Sequence, residues 1–380
     1  MRCDMFFQDH PQPFRRYGDP PIDQNPSSSY WLGCGCPAKY TNWTKIQLLG
    51  KGSYGTVHLA ICMDSYSSGE SIAMKSAILD QSSSLMKEAE ILKHFVDCPE
   101  IVRCFGVDFT VENGQRFFNL LLEYASGGTL LDLIKKSGGK IQENEVKKYT
   151  RMIVKGLRCM HEKGFVHCDL KPENILVFPS PDGASYVKIT DFGLSKIPED
   201  PNELITTTKF SFRGTPTYMS PESVVLGEIH GSLDIWSLGC IVVEMISGNL
   251  AWEFNDMEDL MVLIAKESPK IPETMSEIGK DFLLRCLARD PKERWTAEML
   301  LRHPFLIETR SGTPSTRSAV CYSSAGNVLP PPGFESISRK PSIIQKYLPP
   351  PGFESISKKP LVKKYLPTPP GFSSKRILQA

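Results

Sequence analysis

Residues 167–174 read HCDLKPEN and place a carboxylate, an ammonium group and an amide within six residues of one another. Asp169 can orient a hydroxyl group or accept its proton, and Asn174 can coordinate a hard cation through its amide oxygen. A second carboxylate, Asp191, follows the apolar stretch VKIT at 187–190 and opens the tripeptide DFG. Mg²⁺ prefers oxygen ligands and often binds a protein through one or two groups, so Asn174 and Asp191 form a candidate metal site.

A glycine-rich turn forms a candidate site for phosphates. The segment GKGSYGTV at 50–57 lies between two stretches with strand patterns, and its glycines let backbone amides approach a polyphosphate closely. A dinucleotide-binding fingerprint would instead join a strand to a helix. The next predicted strand ends at Lys75 in IAMK, and Glu88 on the following helix is placed to hold that ammonium group by an ion pair.

The hydrophobic pattern predicts the elements that position these residues. Strand patterns are found at 43–50, 56–62, 71–75, 101–109, 117–122 and 187–190. Helical spacing of apolar residues is found at 84–95, 143–163 and 235–246. The last of these helices is apolar nearly all round, which predicts full burial. The sequence therefore predicts an α+β fold, with a small strand-rich lobe followed by a larger helical lobe.

Proline divides the chain into three segments. Of the thirty prolines among 380 residues, six lie in 1–42 and twelve in 307–380, and both ends are also rich in Ser and Gly. These ends are predicted to be disordered, and residues 43–306 are predicted to fold.

Composition limits the classes of partner and compartment. The net charge is +1, which gives no indication of a nucleic-acid partner. No stretch approaches the roughly 18 consecutive apolar residues of a membrane-spanning helix. The eleven cysteines are scattered and odd in number, a pattern typical of a reducing compartment rather than of a disulfide framework. We therefore expect a cytoplasmic or nuclear protein without a membrane span.

The C-terminal segment contains a repeat. LPPPGFESIS occurs at 329–338 and at 348–357, and a degenerate copy, LPTPPGF, occupies 366–372. Each proline run favours an extended polyproline II backbone that displays a Phe, and basic residues separate the copies. Two readings remain open: a multivalent tail that docks a partner, or a low-complexity linker that grew by duplication.

Together these motifs resemble the signature set of the eukaryotic protein kinases. The resemblance covers residues 43–306 and rests on GKGSYGTV, IAMK, HCDLKPEN, DFG and the SPE at 220–222. It implies the bilobal protein kinase fold, with a β-rich N-lobe and a larger helical C-lobe. It also implies ATP and Mg²⁺ as cofactors.

The resemblance implies roles for individual residues. Asp169 would be the catalytic base, Lys171 would neutralise charge on the transferring phosphoryl group, and Lys75 would contact the α- and β-phosphates while pairing with Glu88. The implied cofactor-binding positions are Gly50, Lys51, Gly52, Ser53, Gly55, Val57, Ala73, Lys75, Glu123, Ala125, Asn174 and Asp191. Of these, Asn174 and Asp191 would hold Mg²⁺. The backbone of Glu123–Ala125 would bind adenine, beside Leu122 at the back of the pocket.

Three further similarities concern structure and acceptor type. Glu222 and Arg294 resemble the pair that ties the activation segment to the C-lobe, and Asp234 resembles the residue that anchors the catalytic loop. Lys171 and Thr215 match the serine/threonine kinases rather than the tyrosine kinases. Leu194, directly after DFG, favours serine over threonine as the acceptor.

Cys168 departs from the family pattern, which usually has Arg before the catalytic Asp. That Arg needs a compensating anion, which phosphorylation of the activation segment supplies. Because Cys168 brings no charge, we expect a weaker need for this phosphate. The candidate acceptors in the activation segment are Thr206, Thr207, Thr208 and Ser211.

Within the family, HCDLKPENIL, RGTPTYMSPE and SLDIWSLGCIVVEM most resemble plant MAP kinase kinase kinases of the short, soluble type. The resemblance implies a serine/threonine kinase that phosphorylates MAP kinase kinases. One alternative is a receptor-like or other serine/threonine kinase, since many receptor-type kinases also lack Arg before the catalytic Asp. The other is a pseudokinase scaffold, which the presence of Lys75, Glu88, Asp169, Asn174 and Asp191 opposes.

Overall fold

The computed structural model describes residues 43–52, 55–63, 70–181, 183, 185–197 and 213–307. The predicted arm at 1–42 and the tail repeats lie outside these residues, as do Ser53 and the activation-segment candidates Thr206, Thr207, Thr208 and Ser211. The described chain forms a β-sheet lobe followed by a helical lobe, which confirms the predicted α+β architecture.

The N-lobe is built on a five-stranded antiparallel sheet. Its strands are β1 (Trp43–Gly52), β2 (Gly55–Cys62), β3 (Ser71–Ile78), β4 (Cys104–Glu112) and β5 (Gln115–Glu123). They lie in the order β1-β2-β3-β5-β4, with helix α1 (Ser83–Leu92) between β3 and β4. The glycine-rich turn joins β1 to β2, so it lies between two strands as predicted.

This sheet encloses a small apolar cluster of its own, distinct from the main core. The buried members are Ala60, Ile72, Met74 and Leu121, against which Trp43 and Phe105 pack. Lys45 on β1 and Glu112 on β4 belong to the two edge strands, yet Lys45 Nζ lies 2.6 Å from Glu112 Oε1. The sheet is therefore curled, and its two edges approach each other.

The C-lobe is mainly helical. Its described helices are α2 (Leu130–Lys136), α3 (Glu143–Glu162), α4 (Pro221–Leu226), α5 (Gly231–Ser247), α6 (Met257–Lys266), α7 (Glu277–Cys286) and α8 (Ala297–Leu301). A two-stranded ribbon, β6 (Ile175–Pro179) and β7 (Ser185–Ile189), lies between α3 and α4. Within the described part of the chain, no helix has the length and apolar character needed to cross a membrane.

Helix α5 forms the centre of the C-lobe. Every residue from Leu233 to Ile246 is buried, which confirms the burial predicted from its sequence. Asp234, near its start, accepts hydrogen bonds from the backbone N–H groups of His167 (2.9 Å) and Cys168 (3.0 Å). Its Oδ2 also lies 2.9 Å from Nε2 of His161 on α3. These bonds hold Cys168 at φ 68°, a conformation that residues other than glycine rarely adopt.

Several strand boundaries differ from the prediction. Strand β3 continues past Lys75 to Ile78, so Lys75 lies within the strand rather than at its end. The strand predicted at 101–109 begins only at Cys104. Ile101 instead forms an isolated bridge with Ile189 of β7, and the backbone N–H of Val102 donates to the Ile189 carbonyl at 2.9 Å. The apolar residues that suggested a longer strand therefore pack the N-lobe against the C-lobe ribbon.

A buried ion pair joins α4 to the segment before α8. Arg294 donates from Nη1 to Glu222 Oε1 at 2.6 Å and from Nη2 to Glu222 Oε2 at 3.1 Å. The guanidinium group also donates to the carbonyl groups of Ser232 and Ala288. Both side chains of the pair are almost fully buried, so each depends on the other for charge compensation.

Replacement of Arg294 by methionine tests this dependence. Arg294→Met leaves the Glu222 carboxylate buried without its partner, and we expect the free energy of unfolding to fall by about 3–5 kcal/mol. The matched control is Arg302→Met, whose side chain is 78% exposed in its pair with Glu298, and we expect it to leave stability nearly unchanged. Urea denaturation measures both, and equal losses in the two variants would contradict this account of the buried pair.

Candidate active site

Two loops of the C-lobe place the predicted catalytic residues at one end of the β6–β7 ribbon. Asp169 lies in the loop after α3, Asn174 immediately precedes β6, and Asp191 follows β7. Ile175 pairs with Ile189, and the backbone N–H of Thr190 donates to the Asn174 carbonyl at 3.0 Å. The ends of the ribbon therefore hold Asn174 and Asp191 close together.

Lys75 connects the two lobes at this point. Its Nζ lies 2.6 Å from Oε2 of Glu88 on α1 and 3.1 Å from Oδ1 of Asp191. Glu88 is 1% exposed, and its Oε1 accepts a weak hydrogen bond of 3.4 Å from the backbone N–H of Phe192. The ion pair anticipated between Lys75 and Glu88 is thus present, and it extends to the DFG segment.

Burial and mutual charge determine the ionisation of this group. Burial disfavours the ammonium form of Lys75, but the carboxylates of Glu88 and Asp191 outweigh it and raise the pKa of Lys75 above its usual value. Burial also opposes ionisation of Asp191, yet the Lys75 charge holds the pKa of Asp191 below its usual value. Lys75 is therefore charged at neutral pH, and Asp191 presents an ionised oxygen donor.

The carboxylate of Asp169 has three side-chain partners. Lys171 Nζ lies 2.9 Å from Oδ2, and the hydroxyl of Thr215 donates to Oδ1 at 2.7 Å. Asn174 Nδ2 donates to the Asp169 carbonyl at 2.8 Å and to Oδ2 at 3.2 Å. These bonds fix the Asp169 side chain, and they leave the amide oxygen of Asn174 out of the network.

Thr215 is a site residue whose contact sequence reasoning missed. From the sequence it indicated only the acceptor type, yet its hydroxyl bridges Asp169 and Lys171, accepting from Lys171 Nζ at 2.8 Å. Thr215 and Asp169 are 46 residues apart, and no local spacing rule connects them. Only the three-dimensional arrangement shows this contact.

The glycines of the glycine-rich turn differ in the space around them. A Cβ atom at Gly50 or Gly52 would meet no other atom of the described residues within 4 Å. Gly55 has φ 140°, and a Cβ there would lie 2.1 Å from the Ser76 carbonyl oxygen, so only glycine fits. Lys51, between the first two glycines, is exposed.

Three apolar residues at the predicted adenine site belong to the main core or pack against it. Ala73 and Leu122 are buried members of that core, and the partly buried Val57 packs against it. The Glu123 side chain is held by Lys188, whose Nζ is 2.6 Å from Oε1, and by the backbone N–H of Arg103. The backbone N–H of Glu123 donates to the Arg103 carbonyl at 3.0 Å, and binding of adenine by the backbone of Glu123–Ala125 stays a prediction. The carbonyl of Ala125 already accepts from Gly128 N–H at 3.2 Å.

These residues fit a nucleoside triphosphate bound together with a hard cation. The amide oxygen of Asn174 and the ionised Asp191 are the oxygen donors that Mg²⁺ prefers. The ammonium group of Lys75 and the open glycine turn suit phosphate groups, and the apolar wall suits a purine. Members of the protein kinase family generally use ATP and Mg²⁺, and the described residues of this cleft fit that use.

Comparison with known proteins agrees with the geometry. Residues 43–306 match the family model described as the protein kinase domain. The chain is 46% identical over 274 residues to mitogen-activated protein kinase kinase kinase 20 of Arabidopsis thaliana, which covers 70% of this chain and 78% of that protein. It is 41% identical to mitogen-activated protein kinase kinase kinase 18 of the same organism, and the match covers 70% of this chain and 78% of that protein. It is 40% identical to mitogen-activated protein kinase kinase kinase 17 of the same organism, and the match covers 70% of this chain and 69% of that protein. The chain therefore belongs to the protein kinase family, as a serine/threonine kinase of the MAP kinase kinase kinase type.

Proposed function

We propose that this kinase transfers the γ-phosphoryl group of ATP to serine or threonine residues of MAP kinase kinases. The observation that carries the proposal is the fixed Asp169 carboxylate, held by Lys171, Thr215 and Asn174 beside the Lys75–Asp191 pair. The names of the similar proteins support the substrate class, since each is called a kinase of a MAP kinase kinase.

The residues divide the chemistry between them. Asp169 orients the acceptor hydroxyl and accepts its proton, while Lys171 places positive charge beside the transferring group. Lys75 binds phosphate oxygens, and Glu88 keeps its ammonium group in place. Asn174 and Asp191 hold Mg²⁺, which neutralises phosphate charge when it is bound. Thr215 keeps the Asp169 and Lys171 side chains together and thereby positions both.

Two features further define the proposal. Leu194 after DFG favours serine as the acceptor. The eleven cysteines of the chain are scattered and odd in number, which supports a reducing compartment, the cytoplasm or the nucleus. A pseudokinase scaffold is disfavoured because the phosphate-binding, metal-binding and proton-accepting groups are all present and in contact.

Substitution of two glutamates on α1 tests the role of the ion pair between Lys75 and Glu88. Glu88→Gln removes the charge that holds Lys75, and we expect a fall in kcat/KM of roughly 10²-fold or more, measured as labelled phosphate transferred to a purified MAP kinase kinase. Glu90→Gln, two residues on, changes an exposed side chain paired only with Lys93, and we expect near wild-type activity. Similar losses in both variants would show that the helix, not the Glu88 charge, matters.

Asp191, the carboxylate proposed to bind Mg²⁺, provides a second test. Asp191→Asn removes the ionised oxygen donor, and we expect phosphoryl transfer to be abolished while thermal unfolding still shows a folded domain. Lys75→Met should have the same result, because the phosphate-binding charge is lost. Full activity of purified Asp191→Asn protein would rule out the proposed chemistry.

Cys168 leads to a prediction on regulation. Its thiol donates to the Val166 carbonyl at 3.5 Å and carries no charge that a phosphate would compensate. We expect protein expressed in bacteria and treated with phosphatase to keep much of its activity. Changing Thr206, Thr207, Thr208 and Ser211 together to Ala should likewise leave activity well above that of Asp169→Asn. Loss of activity to the Asp169→Asn level would show that activation-segment phosphate is essential despite the cysteine.

The C-terminal repeats are proposed as a docking tail. Residues 307–380 carry eleven Lys and Arg against three Asp and Glu, and the two identical ten-residue copies keep Phe and Ile, which a spacer does not need. Tandem copies raise capture by keeping unbound copies at high local concentration.

Truncation after residue 310 tests the tail. We expect the KM for a MAP kinase kinase to rise about ten-fold or more, with the KM for a generic protein substrate unchanged. The control is a full-length chain with the sequence of 311–380 scrambled, which keeps length and charge but destroys the repeats. Equal KM values for the truncated, scrambled and intact chains would favour the linker reading.

A further inference from the structure

One face of α3 holds the segment that joins α1 to β4. Lys155 Nζ lies 3.6 Å from Glu100 Oε1, and Lys163 Nζ, two turns further on, donates to the His94 carbonyl at 2.7 Å. The helix approaches this segment closely, since a Cβ at Gly156 would lie 3.3 Å from the Glu100 carbonyl oxygen. Residues four apart on a helix share a face, so Cys159 lies on this same face, midway between the two lysines.

Cys159 meets another cysteine across this contact. Glu100 lies beside Gly156 and His94 beside Lys163, which places Cys98 next to Cys159. The Cys98 thiol also donates to Oε2 of Glu100 at 3.9 Å. The Cys98 backbone is held in a turn, with its N–H donating to the Phe95 carbonyl at 3.0 Å and its carbonyl accepting from Ile101 N–H at 3.1 Å. Two thiols from different elements therefore face each other, the Cys98 residue buried and the Cys159 residue partly exposed.

We propose that Cys98 and Cys159 are a redox modification site, at which a peroxide converts the two thiols into a reversible disulfide between α3 and the α1–β4 segment. The proposal concerns the fold alone and does not rest on the substrate assigned above. A disulfide here would bridge two elements that an ion pair and a hydrogen bond already hold side by side.

The two cysteines take different parts in the reaction. The partly exposed Cys159 reacts first: its thiolate attacks one peroxide oxygen, the O–O bond breaks, and a sulfenic acid and water are formed. The Cys98 sulfur then attacks the Cys159 sulfur, the S–O bond breaks, and the hydroxide leaves as water with the Cys98 proton. In total, two thiols and hydrogen peroxide give one disulfide and two water molecules. Burial raises the pKa of the Cys98 thiol to about 12, which protects Cys98 from direct oxidation.

The position of the pair connects it to the catalytic cleft. Phe95, three residues before Cys98, packs against Phe192 of the DFG segment with ring centroids 5.8 Å apart, and against Phe165 at 5.1 Å. The backbone N–H of Phe192 in turn donates to Glu88. A disulfide at Cys98 would therefore hold the α1–β4 segment against the C-lobe, and with it the Phe95 ring that packs on Phe192. It should stabilise the arrangement described here rather than disrupt it.

Peptide mapping of the full chain tests the proposal directly. Reduced protein is treated with hydrogen peroxide, free thiols are alkylated under denaturing conditions, and the digest is analysed by mass spectrometry. We expect a peptide pair joined through Cys98 and Cys159 that disappears after reduction with dithiothreitol. Cys240 and Cys286 are neighbouring thiols that are both buried, and they serve as the internal control. We expect both to stay reduced during peroxide treatment and to be found alkylated. Absence of the Cys98–Cys159 peptide, with Cys159 oxidised and Cys98 alkylated, would overturn the proposal.

Two variants separate the roles of the thiols. In Cys98→Ser the sulfenic acid on Cys159 has no partner, so dimedone should label Cys159 after peroxide treatment. In Cys159→Ser, Cys98 should stay unmodified. The oxidised wild-type protein should melt about 5 °C or more above its reduced form, because the cross-link closes a long loop, and Cys159→Ser should show no such shift. Dimedone labelling of Cys98, or an equal shift in Cys159→Ser, would contradict the assignment.

Discussion

The geometry of the cleft depends on the two ion pairs of the Lys75 ammonium group. This group lies between a carboxylate from α1 of the N-lobe and a carboxylate after β7 of the C-lobe, at 2.6 Å and 3.1 Å. Glu88 is buried, and a buried carboxylate without a partner is costly. Displacement of α1 would leave the buried Glu88 carboxylate without Lys75 and would remove one of the two carboxylates that hold Lys75, so the position of this helix and the geometry of the cleft are coupled.

The C-lobe side of the cleft depends in turn on helix α5. Asp234 at its start binds the backbone of the loop that precedes Asp169. In its middle, Ser237 Oγ donates to the Tyr218 carbonyl at 2.8 Å, and the Tyr218 hydroxyl donates to Glu244 at 2.6 Å. One buried helix therefore positions both the loop that contains Asp169, the proposed catalytic base, and the segment that follows Thr215. Rigid support of this kind suits a site whose main task is to orient an acceptor hydroxyl.

The backbone of Cys168 is fixed by a contact with α5. Its N–H donates to Asp234, and its φ is positive. Its side chain instead points to the Val166 carbonyl and brings no charge. The loop conformation is thus set by a backbone contact with α5, independently of the side chain at this position.

The chemistry-bearing residues could be predicted from the sequence because each lies in a short motif with fixed local spacing. HCDLKPEN, DFG and the glycine-rich turn are such motifs, and the periodicity of apolar residues also predicted most of the strands and the buried α5. Contacts between distant segments could not be predicted in this way. The bridge from Thr215 to Asp169, the pairing of Ile101 with β7, the ion pair that joins β1 to β4 and the meeting of Cys98 with Cys159 were decided only by the tertiary structure. Local spacing fixes which side chains share a turn or a face, whereas the distance between residues far apart in the chain depends on how whole elements pack against one another.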